Sequence, residues 1–364
     1  MALTLLYILA GLFIFLLIYY LGIFSGSVFS KPHENNAKRI PISVIVYAKN
    51  HAEELRNLLP VLLNQNYHQF ELVLVNNAST DDTLHLMKEY ALMYPNIRVV
   101  DVLNNEAFWG NKKYATTLGI KASKYEYLVC IDADKKILSN NWLVQLTSHF
   151  TLNKTIVLGT FSYIKKKGLF NKWFRFFHTM QHLQAAAHTK ISAPYSLNLQ
   201  QIAFKKEDFY SVNGFISHIQ KPLFMNEHFV NDAATSKNTI MCEHPDAMIA
   251  VAPMNRKVFN IFKNQQIKLL ASFKGSTSFK IKLFNLLQFL FFATALASFA
   301  TLSFWYITLG IVLLRMLILW IIFAKAAKKL KYTDLAFYFP LFDMFYIFIQ
   351  IQLFLGNLFR KSKS

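Results

Sequence analysis

Between Asp246 and Asp334 the chain has no acidic residue, although Arg256, Lys257, Lys263, Lys268, Lys274, Lys280 and Lys282 all fall there. Over 364 residues only 20 Asp and Glu oppose 39 Lys and Arg, a formal net charge of +19. Such a balance is the electrostatic footprint of nucleic-acid binding. No nucleic-acid module is recognisable, however, and the cations cluster beside apolar runs, so anionic membrane lipids are the expected partner and nucleic acid is not. Cysteine is equally scarce. Cys130 sits in a strand-like run and Cys242 in a loop-like stretch, which excludes zinc spacing and a disulfide framework and suits a reducing compartment. Internal repeats and low-complexity segments are also missing.

What the chain has in quantity is apolar surface: 54% of residues are hydrophobic and 16% aromatic. Ala2 to Phe24 is uncharged and of membrane-spanning length. It has no basic n-region and is too long for a cleaved signal, so an anchor over residues 1–30 is expected. Leu283–Thr301, Phe304–Ala324 and Leu335–Leu358 are further candidate spans. Pro340, Asp343, Gln350 and Gln352 make the last the least lipid-like. Lys31, Lys38 and Arg39 follow the first span, and Lys325, Lys328, Lys329 and Lys331 follow the third. By the positive-inside rule these clusters are cytoplasmic if the N-terminus is outside; the tail Arg360-Lys361-Lys363 conflicts if the last segment also crosses. The reading is an anchor at 1–30, a catalytic domain at 40–250, a basic amphipathic interface segment at 251–282, and a membrane region of two or three helices at 283–364.

The segment 40–160 alternates apolar strands with helical patterns. Strands are expected at Ile42–Ala48, Glu71–Val75, Ile97–Val102 and Tyr125–Ile131, with helices over Ala52–Gln65, from near Asp81 (capped by Ser79 or Thr80) and over about Asn111–Ala122. That order implies right-handed crossovers and an α/β fold with a mostly parallel sheet flanked by helices. Ligands of such sheets bind at the carboxyl ends of the strands, where Ala48, Asn50, Asn76, Asn77 and the Ile-Asp-Ala-Asp run 131–134 fall. Because a strand exposes alternate residues to one face, Asp132 and Asp134 are expected to point the same way and share a divalent cation, Mg²⁺ or Mn²⁺. Lys112 or Lys113 can approach phosphates.

Four motifs in order resemble family 2 glycosyltransferases of GT-A fold, in particular their membrane-bound bacterial branch. They are the opening strand Ser43–Asn50 with Gln65-Asn66-Tyr67 after its helix; Val75–Asp81 against Val-Asp-Asp-Gly-Ser-Thr-Asp; Lys112–Ile120 against Lys-x-x-Ala-x-x-x-Gly-Ile; and the Asp-x-Asp. The resemblance implies a nucleotide-sugar donor, a metal held through Asp134 and the diphosphate, Asp132 near the ribose or metal, inversion at the sugar, and a lipid-linked or saccharide acceptor. The chain departs from the pattern at Asn76-Asn77 in place of Asp-Asp and at His51 in place of Glu. The late acidic cluster is reduced to Phe224-Met225-Asn226-Glu227-His228. Glu227 is therefore the expected catalytic base, with Asp208 or Asp232 as alternatives. The acceptor-side Gln-x-x-Arg-Trp is only echoed by Gln265–Leu269, which disfavours processive synthesis. The expected function is a membrane-bound, non-processive inverting glycosyltransferase at the bacterial inner membrane with its catalytic domain cytoplasmic; the alternative is a catalytically impaired member acting as a scaffold or partner subunit.

Three features stand apart from that function. Phe170, Trp173, Phe174 and Phe177 recur at helical spacing, with Lys172 and Arg175 on other faces, as in a helix at a bilayer surface or a plain buried helix. His178 and His182, one turn apart, suit a metal or a packed helix. Arg315, within a span, calls for a partner, and Asp343 is available.

Overall fold

A computed structural model describes residues 1–29, 40–103, 111–191, 194–221, 224–273 and 275–358. Lys31, Lys38, Arg39, Lys274, Arg360, Lys361 and Lys363, which carry part of the charge argument, lie outside them. The chain opens with α1 (Ala2–Ile18), a π-helical turn over Tyr19–Phe24 and α2 (Ser25–Val28). The α/β part follows as β1 (Ile42–Ala48), α3 (Ala52–Leu63), β2 (Phe70–Asn77), α4 (Thr83–Met93), β3 (Ile97–Val102), α5 (Lys112–Ala122), β4 (Tyr127–Asp132), β5 (Lys136–Ile137), α6 (Trp142–Thr147), β6 (Ile156–Gly159) and β7 (Phe161–Tyr163). After the long helix α7 (Leu169–Ile191) come β8 (Gln201–Lys205), α8 (Lys206–Ser211), α9 (Met225–Ala233), β9 (Thr239–Cys242) and β10 (Ile249–Val251). Helices α10 (Arg256–Ser272), α11 (Gly275–Ala300), α12 (Trp305–Lys329) and α13 (Phe339–Leu358) follow.

These elements form two compact units. One comprises Pro32–Ile164 and Ser192–Pro253; the other comprises Met1–Lys31, Lys165–Ile191 and Met254–Ser364. The first is built on a seven-stranded sheet of order β3-β2-β1-β4-β8-β6-β9. Pairs β1–β2, β2–β3, β1–β4 and β6–β9 are parallel, and β8 runs antiparallel to β4 and β6. The central strands are apolar almost without interruption because helices cover both faces, as parallel sheets require. Helix α5 lies so close that a Cβ on Gly119 would stand 2.6 Å from a Val75 methyl, which explains the glycine of the Ala-x-x-x-Gly-Ile run. Asn111 caps that helix, accepting from the backbone N–H of Lys113 at 2.9 Å. Gln65 and Tyr67 are staples: the Gln65 amide accepts from Leu143 N–H at 3.0 Å and donates to Ser139 C=O at 3.1 Å, and the Tyr67 hydroxyl donates to Ile40 C=O at 2.6 Å.

The second unit is helical. Ala2–Val28, Thr277–Ala300 and Trp305–Lys329, of 27, 24 and 25 residues, are long and apolar enough to cross a membrane. The fourth expected segment begins instead as a 3₁₀ turn over Thr333–Tyr338 and becomes helical at Phe339. Helix α7 departs from the expectation of one unbroken domain over 40–250, since it belongs to the helical unit. Its aromatic stripe is buried there: Phe174 packs on Phe259 at 5.5 Å, and Phe176 on Phe323 at 4.8 Å. Arg175, expected on a polar face, is buried and grips Asp334 with two hydrogen bonds of 2.9 and 2.7 Å. His178 meets the Tyr332 hydroxyl at 3.4 Å, and among the described residues no group of three metal-ligating side chains forms around it or elsewhere.

Candidate active site

The register sets the site. Ala48 pairs with Asn76 and Tyr47 with Asp132, so β1, β2 and β4 end level with one another. The loops beyond β1 and β2 are stitched together by side chains. Asn50, in the left-handed region at φ 55°, donates its N–H to Ser79 Oγ at 3.0 Å and accepts from Thr80 N–H at 2.8 Å. Asp81 accepts from Ala52 N–H at 3.1 Å, tying the start of α3 to this loop. Ser79 and Thr80 thus serve the interloop contact instead of capping α4, which starts at Thr83, near Asp81 as expected, with Asp82 at its N-cap.

Of the asparagines that replace the family's two aspartates, Asn76 is buried and uses both ends of its amide. It donates to Asp101 at 2.7 Å and accepts from Ser79 N–H at 3.3 Å. Asn77, also buried, donates to the Tyr47 hydroxyl at 2.9 Å. Ala48 is buried and offers backbone only.

Asp132 is the last residue of β4, and the chain then turns, with Lys135 N–H donating back to Asp132 C=O at 3.2 Å. Strand alternation therefore does not carry through to Asp134; a turn places it. The two carboxylates nevertheless face a common point, because the Lys135 ammonium reaches Asp134 at 2.7 Å and Asp132 at 3.9 Å. Lys112 closes on Asp132 at 2.6 Å and lies 5.0 Å from the Tyr47 ring centroid. Burial pushes the Asp132 carboxyl upward, but Lys112 and Lys135 outweigh it and leave the group below its ordinary value. Two carboxylates within reach of one cation, partly open to solvent at a strand-end cleft, match a hard divalent ion that takes its remaining oxygens from phosphate and water. The donor set fits that group. Lys135, 7% exposed, is the residue that sequence reading missed; its only signal was adjacency to Asp134.

Glu227 lies on the first turn of α9. It is buried, and Leu199 N–H donates to one carboxylate oxygen at 2.6 Å. Burial pushes its carboxyl up to about 7, countered in part by that hydrogen bond and by Lys112 and Lys113. Lys113 is itself pushed down to about 8 by burial, with Glu227 acting in the other direction, and its ammonium donates to Lys221 C=O. Met225 and Asn226 of α9 line a small cavity together with Tyr47 and Asp132, so the start of α9 and the end of β4 share one wall. Beyond Glu227, His228 stacks on His218 with ring centroids 4.2 Å apart, and His218 meets Asp232 at 2.8 Å. Burial and the neighbouring cations push His228 down to about 3, so it is neutral. Asp232 is thus engaged by an imidazole. Asp208 lies on α8, which follows Lys205, the partner of Tyr127 at the start of β4. That is the wrong end of the parallel strands for the site.

Carboxylates at the carboxyl ends of a parallel sheet, near a buried carboxyl pushed up toward neutrality, make this strand-end cleft the candidate site. Residues 43–218 match the family model Glycosyl transferase family 2. It is 28% identical over 96 residues to the uncharacterized glycosyltransferase YibD of Escherichia coli (strain K12), covering 26% of each chain. It is 30% identical over 96 residues to a poly-beta-1,6-N-acetyl-D-glucosamine synthase of Staphylococcus epidermidis, covering 26% of this chain and 22% of that one. The matched stretch spans about a quarter of the length of these curated relatives. A mannosyltransferase from Pyrobaculum calidifontis, solved in complex with GDP-Man and Mn²⁺, has the same fold, with a TM-score of 0.59 over 99% of both chains at 18% identity.

Proposed function

We propose that the protein is a membrane-tethered, metal-dependent inverting glycosyltransferase that moves one sugar from a nucleotide-sugar donor to a hydroxyl of a lipid-linked or saccharide acceptor. The observation that carries this reading is the pairing of Asp132 and Asp134 at the strand ends with the buried, near-neutral carboxyl of Glu227. A Mg²⁺ or Mn²⁺ held by Asp132 and Asp134 would offset the charge of the departing diphosphate. Lys112 and Lys135, which already reach those carboxylates, are placed to meet phosphate oxygens as well. Glu227 accepts the proton of the attacking hydroxyl; burial lifts its affinity for that proton, and Leu199 N–H fixes its orientation. The ribose and base are taken to lie along the rim formed by Ala48, Asn50, Asn76 and Asn77, where backbone and amide groups replace the carboxylates usual in the family.

A donor panel tests the reading: protein in native-like lipid, Mn²⁺ or Mg²⁺, and nucleotide sugars, scored by nucleoside diphosphate release. Metal-dependent release from one donor, abolished by Asp134→Ala, is expected. Absence of release from every donor, with nucleotide affinity unchanged in Asp134→Ala, would overturn it in favour of a scaffold. The basic residues beside the spans support a cytoplasmic catalytic unit. Both native cysteines are buried, so a cysteine at exposed Glu53 reports sidedness. An impermeant thiol reagent should label it only after lysis, and labelling in intact cells contradicts this orientation.

A further inference from the structure

Arg315 is the eleventh of the 25 residues in α12, which places it about 15 Å along the helix from Trp305, near the middle of a bilayer. It is 1% exposed. Its Nη1 donates to Asp343 of α13 at 2.5 Å, and its guanidinium lies 4.6 Å from the Phe292 ring and 5.8 Å from the rings of Phe291 and Tyr20. Gln288 falls between these contacts on α11. One turn before it, Phe284 meets Tyr20 at 6.4 Å, and one turn after it, Phe291 and Phe292 meet Arg315, so Gln288 faces the same cluster. Tyr20, Gln288, Arg315 and Asp343 are each at least nine-tenths buried.

This cluster holds more hydrogen-bonding capacity than it uses. The Tyr20 hydroxyl interacts with the Arg315 guanidinium, but among the described residues no partner reaches either end of the Gln288 amide or Asp343 Oδ1. Buried polar atoms are rarely left this way, and here the spare donors and acceptors converge from three helices, α11, α12 and α13. Their chemistry restricts the ligand. Arg315 repels a metal ion, Asp343 repels a phosphate, and the pair together is neutral. The spare positions mix donors (the remaining Arg315 N–H groups and Gln288 Nε2) with acceptors (Asp343 Oδ1 and Gln288 Oε1). We infer that this cluster is a binding site, inside the membrane unit, for a neutral hydroxyl-bearing ligand that both gives and accepts hydrogen bonds. Two sources carry that chemistry: bound water, and the hydroxyls of a glycerol or sugar headgroup.

Radiolytic hydroxyl labelling of the full chain tests this, because radicals formed at bound water oxidise the adjacent rings. Phe323 and Phe339 of the same unit are as buried as Tyr20 and Phe291 and serve as internal controls. In nanodiscs of dioleoylphosphatidylcholine, Tyr20 and Phe291 should label severalfold faster than those controls, and Gln288→Met should remove the excess. If the excess persists when a diglucosyl diacylglycerol is added, the ligand is water. If that lipid suppresses it, and native mass spectrometry retains one such lipid on the wild type but not on Gln288→Met, the ligand is a headgroup. Labelling equal to the controls together with no retained lipid overturns the site, and the wild-type comparison alone decides this if the variant does not fold. No readout involves sugar transfer, so the outcome is independent of the glycosyltransferase reading.

Discussion

Two ion pairs of nearly equal length occupy opposite situations in this chain. Lys112 and Asp132 meet at 2.6 Å with side chains 30% and 26% exposed, whereas Arg315 and Asp343 meet at 2.5 Å with side chains 1% and 4% exposed. Distance alone would rank them together, but desolvation separates them. The first pair sits where water, phosphate or a cation can replace either partner at small cost, which suits a site that must exchange ligands. Neither member of the second can be released without stranding a charge in a low-dielectric interior, which suits an element that holds helices in one arrangement.

The largest effect expected from this contrast follows from breaking the buried pair on one side. Asp343→Leu leaves Arg315 uncompensated and should cost about 3–5 kcal/mol of stability. Arg315→Leu combined with Asp343→Leu should recover most of it, since apolar replacement of a whole buried pair is often neutral or better. Thermal unfolding of the three proteins in the same lipid decides it. A double variant no better than the single would mean that the cluster's other polar groups depend on the pair.

Glu227 lies between the two extremes, as a buried carboxyl held by the Leu199 backbone amide instead of by a charged partner in direct contact. Glu227→Gln should lower turnover by about 10²-fold with donor affinity nearly unchanged. Because the group must be ionised to accept a proton, the wild-type rate should climb with pH through about 7 and level off above. Stability moves the other way. A carboxyl raised from 4.5 to about 7 makes the folded state bind the extra proton, so stability is full below the unfolded value and falls as pH rises through that window. Glu227→Gln should therefore raise the melting temperature at pH 8 and leave it nearly unchanged at pH 4. A flat rate profile across pH 6–8 would remove Glu227 from the chemistry.

For the part-buried pair the expected structural effect is small. Lys112→Met should change stability by less than about 1 kcal/mol, in contrast to Asp343→Leu. On the proposed donor placement it should also weaken nucleoside diphosphate binding measured by calorimetry, because the cation proposed to meet the phosphates is gone. A stability loss comparable to that of Asp343→Leu would mean that the two pairs are alike after all.

The same contrast explains what could be read from the sequence. The order of strands and helices, the parallel pairing and the membrane helices follow from local periodicity, and the partnership of Arg315 with Asp343 follows from the cost of a lone charge in a span. Reading broke down where long-range contacts decide. Nothing local shows that α7 packs into the helical unit, or that Arg175 finds Asp334 across 159 positions. Strand alternation predicts Asp132 and Asp134 on one face, but it is a turn that brings the carboxylates together, and that turn also delivers Lys135. The asparagine at 76 becomes intelligible only beside Asp101: a carboxylate there would face another carboxylate, whereas the amide donates to it.

The smallest effect concerns the neighbouring loop and sharpens the distinction between a built site and a tolerated one. Ala78 stands where the resembled motif has glycine, and its φ is +48°. A Cβ in the left-handed region costs roughly 1–2 kcal/mol, and glycine would remove that cost while losing about 0.5–1 kcal/mol to the greater freedom of the unfolded chain. Ala78→Gly should thus stabilise the α/β unit by about 0.5–1 kcal/mol, a rise of roughly 1–4 °C for a domain of this size. The loop is held on both sides, by Asn76 accepting from Ser79 and by Asn50 accepting from Thr80, so the substitution relieves strain without releasing the strand ends. Nucleotide affinity should therefore stay the same. Tighter or weaker binding in Ala78→Gly would show that the strained alanine shapes the nucleotide rim, and would move the loop from scaffold to site.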